Sequence, residues 1–252
     1  MALTDNLVSF WKFDESSGNA ADSVGSNTLV NNGSATFVSG LINNAAHLVR
    51  ASSQYFKVSS NLGIAGNGDI TISMWVKFTA SASSPFNFVF DFRSTSGADK
   101  RLGLLYFYNG GSPKLEVDNA EGYIDYNADP GTINYHHILV TRSSSGVAEL
   151  WVDGVSIGTA SQTGGGGASD NAFYVGAQSG GGNTNDANYD AVGVWSRVLS
   201  STEITALYNG GVGSQYPFLT SSIKTINGLA KASVKTVNGL AIASVKAWLG
   251  LA

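Results

Sequence analysis

Tyr135-His136-His137-Ile138-Leu139-Val140-Thr141-Arg142, a Ser/Gly turn, then Glu149-Leu150-Trp151-Val152-Asp153-Gly154-Val155 is the stretch that decides the fold. Ile138 and Val140 alternate with Leu139 and Thr141, and Leu150 and Val152 alternate with Trp151 and Asp153. A period of two is the pattern of half-buried antiparallel strands. Asp153-Gly154 supplies turn residues that tolerate positive φ. Two paired strands closing at a tight turn are therefore expected. His136 and His137, adjacent in a strand, point to opposite faces and cannot ligate one metal together. The chain has no cysteine, so neither zinc nor disulfides are expected.

In wording as well as pattern, this hairpin resembles the laminin G-like, concanavalin A-like jelly-roll family. Three more segments, in family order, agree. Leu7 to Gly18 with Asp22-Ser23 resembles the opening strand and its acidic turn. Gly68-Asp69-Ile70-Thr71-Ile72-Ser73-Met74-Trp75-Val76-Lys77 resembles a core strand. Phe173 to Ala177 with Asp190 to Ser200 resembles the closing strands. The resemblance implies an all-β, antiparallel jelly-roll sandwich over residues 1–218, with Trp11, Trp75, Trp151 and Trp195 as packing residues. One short helix is expected to cap it: Ser200 and Glu203 form a capping box, Leu199 and Ile204 a hydrophobic staple, and Asn209-Gly210 the stop. This fold hosts lectins, adhesion modules and enzymes alike, so it does not name a ligand.

Composition narrows the classes. Only 13% of residues are charged and the net charge is -4, with no basic cluster, which leaves no footprint for nucleic acid. No apolar run reaches about 18 residues, so no membrane span is expected, and Met1-Ala2-Leu3-Thr4-Asp5 lacks the features of a secretory leader.

Candidate sites follow from residue chemistry. Tyr106 and Tyr108 share a strand face, Tyr123 and Tyr126 lie just beyond, and Asn183, Asn185 and Asp186 sit in a Gly-rich polar loop. Flat rings beside amides and carboxylates suit sugars, although tyrosines also line sandwich cores. Glu116-Val-Asp118-Asn-Ala-Glu121 resembles the catalytic strand of laminarinase-type family 16 glycoside hydrolases, which would make Glu116 and Glu121 nucleophile and acid/base. Its flanks depart from that family's pattern, and solvated strand acids are the expectation. The jelly-roll resemblance also implies calcium near the opening turn and the closing-strand Asp, held by Asp14 or Asp22 with Asp190. The family's second acid is Ala191 here, so no cofactor is expected, with calcium the one ion left open.

After Pro217 the chain changes. Residues 219–252 carry four Lys and no acid, in 11-residue repeats beginning at Ser222, Ser233 and Ser244. Ile223, Ile226, Val234, Val237, Val245 and Trp248 recur at matching positions, a stripe that seeks other subunits. With Ala230, Ala241 and Ala252 they follow a 3-4-4 spacing that permits a right-handed coiled coil, whereas Asn-Gly between short apolar runs favours short strands. The repeats resemble those at the ends of tailed-bacteriophage virion proteins. That resemblance implies a non-enzymatic, homo-oligomeric decoration or fibre protein, assembled in the bacterial cytoplasm, whose jelly roll faces outward toward glycans. The alternatives are a cellular carbohydrate-binding or adhesion module and a family 16-type hydrolase.

Overall fold

The computed structural model describes residues 1–66, 68–82, 86–93, 102–108, 110–118, 123–161 and 171–218, with 225–226, 229–230, 236–237 and 240–241 in the tail. The chain divides into two compact units, Met1–Gln215 and Tyr216–Ala252. The first is a sandwich of two antiparallel sheets. The eight-stranded sheet runs in the order Val155–Ser161 (β13), Val147–Val152 (β12), His136–Arg142 (β11), Ile70–Phe78 (β6), Ala187–Trp195 (β15), Asn44–Leu48 (β4) and Thr36–Ser39 (β3), with Leu7–Trp11 (β1) also pairing with β15. The seven-stranded sheet runs Tyr123–Tyr126 (β10), Lys114–Asp118 (β9), Gly103–Phe107 (β8), Phe88–Asp91 (β7), Phe173–Val175 (β14), Tyr55–Val58 (β5) and Val30–Asn32 (β2).

The alternation places the core between the sheets. Ile138 and Val140 of β11 and Ile70, Ile72, Met74, Val76 and Phe78 of β6 point inward and are fully buried. Each such side chain contributes about 1.5–3 kcal/mol by leaving water. Asp153 and Gly154 take φ of 52° and 77° and join β12 to β13.

The outward side of the eight-stranded sheet is covered by Ser201–Tyr208 (α1). Its capping box forms as the sequence dictates: Ser200 N–H donates to Glu203 Oε2 at 2.9 Å, and Glu203 N–H donates to Ser200 Oγ at 3.4 Å. Arg197 clamps the helix start, donating to both Glu203 carboxylate oxygens at 2.9 and 2.7 Å and to the carbonyls of Ala2 and Asp5. Tyr208 stacks on Trp75, with centroids 5.9 Å apart. Trp75 therefore packs under the helix, and Trp151, beside the buried Leu139 on the same outer face, is half-buried. Of the four tryptophans among the described residues, Trp11 alone joins the main core cluster, stacked on Phe173, while Trp195 is buried outside it.

In the tail, Thr225–Ile226 pairs with Leu229–Ala230, and Thr236–Val237 with Leu240–Ala241. Ile226 and Val237 thus lie in short strands rather than a coiled coil, as the β-branched pairs Thr225-Ile226 and Thr236-Val237 favour. Ile223, Val234, Val245 and Trp248 lie outside the described residues.

Candidate carbohydrate-binding site

Three loops interlock where β4 runs into β5, β6 into β7 and β14 into β15. Arg50 organises them. Its backbone N–H donates to Asp186 Oδ1 at 2.8 Å, its Nη1 to Asn87 Oδ1 at 2.9 Å, and its Nε lies 3.5 Å from Asp186 Oδ2. Asn87 Nδ2 donates to the Tyr106 carbonyl at 3.1 Å, and Phe88 N–H to the Asn183 carbonyl at 2.9 Å. Tyr55 lies half-buried across the loop above β14. At Gly181, φ is +81° and a Cβ would sit 2.6 Å from the Tyr55 phenol oxygen, so both conformation and space require glycine. Asn183 is exposed, and its Nδ2 donates to Gln178 Oε1 at 2.5 Å. The result is a half-buried ring beside one exposed amide on a braced scaffold, groups of the kind that face a pyranose and exchange hydrogen bonds with its hydroxyls.

Of the polar loop residues expected at a sugar site, Asn183 and Asp186 fall here, Asp186 as a brace. Asn185 is buried, donating to the Phe88 carbonyl and accepting from the Tyr189 hydroxyl, so it supports the loop from beneath. Tyr106, Tyr108 and Tyr126 do not form an exposed platform. Tyr106 is 1% exposed, with its ring 4.0 Å from that of Phe78 and its hydroxyl donating to Asp129. Tyr108 and Tyr126 pack partly buried against the core. These residues share the inward parity of Leu104 and Ile124, and so line the sandwich. Tyr123 lies in β10, its side chain outside the described residues. Sequence reading missed Arg50, Tyr55, Asn87 and Gln178, for which the Gly180-Gly181-Gly182 loop was the only local signal.

The acids serve other ends. Glu116 is 8% exposed, faces outward on β9, and sits opposite Asp125 of β10. Lys114 Nζ bridges the two carboxylates at 3.1 and 2.8 Å. Burial raises the Glu116 carboxyl and Lys114 pulls it back, leaving it above its ordinary value. Glu116 is thus an ion-paired, nearly buried acid rather than a solvated one, because β10 and Lys114 close over it. Glu121 lies outside the described residues.

Asp22 is consumed by the opening turn: its oxygens accept the N–H groups of Phe10, Val24 and Asn27. Asp14 and Asp190 do converge. Asp190 is fully buried, accepts the Ile42 N–H at 2.8 Å through Oδ2, and has no hydrogen-bond partner for Oδ1. Burial pushes its carboxyl up to about 7, against the backbone donors Ile42, Leu41 and Ala191 and with the help of nearby Asp14. Asp14 accepts from Asn43 Nδ2 and Asn44 N–H at 3.2 and 3.4 Å. One unpartnered oxygen beside a hydrogen-bonded carboxylate falls short of the roughly six to eight oxygens calcium takes. No cluster of three metal-ligating acids or histidines occurs among the described residues.

His137 is buried beneath Trp75 and Tyr208, whereas His136 Nδ1 meets Asp153 Oδ2 at 2.7 Å. The two rings face apart and share no ligand.

A concanavalin A-like lectin/glucanases superfamily model matches residues 50–205. The chain belongs to that superfamily. No curated protein sequence matches it significantly. Among solved structures, domain 4 of an extracellular GH43 arabinanase (AbnA) from Geobacillus stearothermophilus, in complex with arabinotriose, superposes with a TM-score of 0.60 at 17% identity, over 79% of this chain and 97% of that one. Trypanosoma rangeli sialidase gives 0.63 at 16%, over 84% of this chain and 34% of the enzyme. The binding domain of botulinum neurotoxin DC, in complex with SialylT, gives 0.60 at 12%, over 82% and 52%. The chain thus spans about a third of the sialidase and half of the toxin domain. Among the described residues no helix is long and apolar enough to cross a membrane.

Proposed function

We propose that the sandwich is a non-enzymatic carbohydrate-binding module whose glycan seats at the loop end around Tyr55 and Asn183. The observation that carries this is the Arg50–Asp186–Asn87 network, which ties together the three loops that carry the half-buried Tyr55 ring and the exposed Asn183 amide. Fixed positions matter because ordering loops at the moment of binding costs affinity. The arabinanase domain solved with arabinotriose and the toxin domain solved with SialylT support a glycan as ligand. The Lys114 ion pair on Glu116 supports a binding rather than a hydrolytic reading. The Lys-rich repeats support attachment to a larger homo-oligomeric assembly, and the virion of a tailed phage, as decoration or fibre protein, is the setting we propose for it.

A glycan array followed by titration calorimetry tests the binding reading. Tyr55→Ala should weaken a hit about tenfold, from the loss of about 1.4 kcal/mol of ring contact, and Asn183→Ala by less. A hit insensitive to both substitutions would move the site elsewhere, and no hit across neutral and acidic glycans would sink the glycan reading.

A further inference from the structure

The eight-stranded sheet ends at β13, which hydrogen-bonds to β12 on one side and, among the described residues, to no strand on the other. Its seven residues, Val155-Ser-Ile-Gly-Thr-Ala-Ser161, contain neither charge nor proline. Edge strands are ordinarily blunted by lysine, proline or brevity, because unpaired N–H and C=O groups template another strand. Here the protection is slight: a bulge opposite Leu150 and Trp151, and β10 at the sandwich corner, where a Cβ on Gly158 would lie 3.8 Å from Ile124 Cγ2. Val155 is 63% exposed, and Ser156, Thr159 and Ser161 are exposed as well. The opposite end strand, β3, has only four residues.

The surroundings of this edge carry a sign. Strands β9, β10, β12 and β13 place the acids Glu116, Asp125 and Glu149 against a single base, Lys114, which bridges the first two, and Asp153, paired with His136, adds another acid at the turn entering β13. Two β13 edges meeting each other would double that negative charge. A cationic strand would be drawn to it. The tail has the complementary character: its described residues form short strands, and residues 219–252 hold Lys224, Lys231, Lys235 and Lys246 with no acid.

We propose that β13 accepts, as an added strand, a repeat from the tail of a second copy of this chain. Backbone hydrogen bonds supply the pairing, and lysines against the flanking acids select tail over edge. Chains would then join tail to edge. Such a heterologous contact propagates into a closed ring or a filament. This rests on the attachment role given above to the tail and is independent of any glycan.

The native chain has no cysteine, so disulfide trapping is clean. Full-length Thr159→Cys protein mixed with full-length Thr236→Cys protein under mild oxidation should give a disulfide-linked heterodimer. Adding Val155→Lys and Ser161→Lys to the first partner should cut its yield at least tenfold, whereas Val155→Glu and Ser161→Glu should preserve it. Two outcomes overturn the proposal: homodimers of the Thr159→Cys chain in preference to heterodimers, or no cross-link. Light scattering on the native chain separates the failures. Oligomers without the cross-link leave the tail's attachment role standing and remove only the edge, whereas a monomer at every concentration removes both.

Discussion

Replacing His137 with Gln should flatten the acid sensitivity of this sandwich. The ring is 1% exposed, its Nε2 lies 2.8 Å from Ser73 Oγ, and its Nδ1 has no hydrogen-bond partner. Burial, opposed only by the charge of Asp153, lowers its pKa from 6.5 to about 4. The unfolded chain therefore takes up a proton near pH 6.5 that the folded chain refuses until about pH 4. Stability is complete above pH 6.5 and drains away as pH falls through that window. At about 1.4 kcal/mol per pH unit, the loss reaches about 2 kcal/mol at pH 5 and levels off at about 3 below pH 4. His136 works in the opposite direction. Its hydrogen bond to Asp153 raises its pKa, so its contribution is present at low pH and lost as pH rises through the folded value. Gln at 137 leaves that pair in place and removes only the buried ionisation. Urea unfolding of both proteins at pH 7.5 and 5.0 measures the difference. The variant should start less stable at pH 7.5, having lost the packing of the ring under Trp75 and Tyr208, yet lose about 2 kcal/mol less on acidification. Equal losses in the two proteins would refute burial of His137 as the source.

Glu203→Ala leaves the Arg197 guanidinium buried without its bidentate partner and removes the capping box. About 3–5 kcal/mol should be lost, read as a drop of roughly 10 °C or more in melting temperature; a drop under 3 °C would show that the clamp is dispensable. Tyr106→Phe removes one hydroxyl bonded to Asp129 and should cost about 1 kcal/mol without touching glycan binding, since the ring packs on Phe78; a loss of binding would return Tyr106 to the site. Excess chelator should leave the melting curve unchanged, because Asp14 and Asp190 offer too few oxygens, and a lowered midpoint would reveal a bound cation.

What the chain determines by itself is what neighbouring residues encode. The Ile138 to Val152 alternation, the Asp153-Gly154 turn with its two positive φ angles, the Ser200–Glu203 box and the short paired strands of the tail each span about fifteen residues or fewer, and each forms as read. Superfamily membership was legible for the same reason. Local pattern could not say which face of a strand would be core and which would be open, because a period of two distinguishes two faces without naming them. Tyr106 therefore read as either a sugar platform or a core residue, and the structure turns it inward onto Phe78. Trp75 read as a packing residue and is one, but only the structure shows that it packs on the outer face against Tyr208. Asp22 read as a metal ligand, but the opening turn brings three backbone N–H groups to it. The loop site joins Arg50 to Asp186 and Tyr55 to Gly181, pairs more than a hundred residues apart, and only the closing of β15 against β4 and of β14 against β5 brings them together.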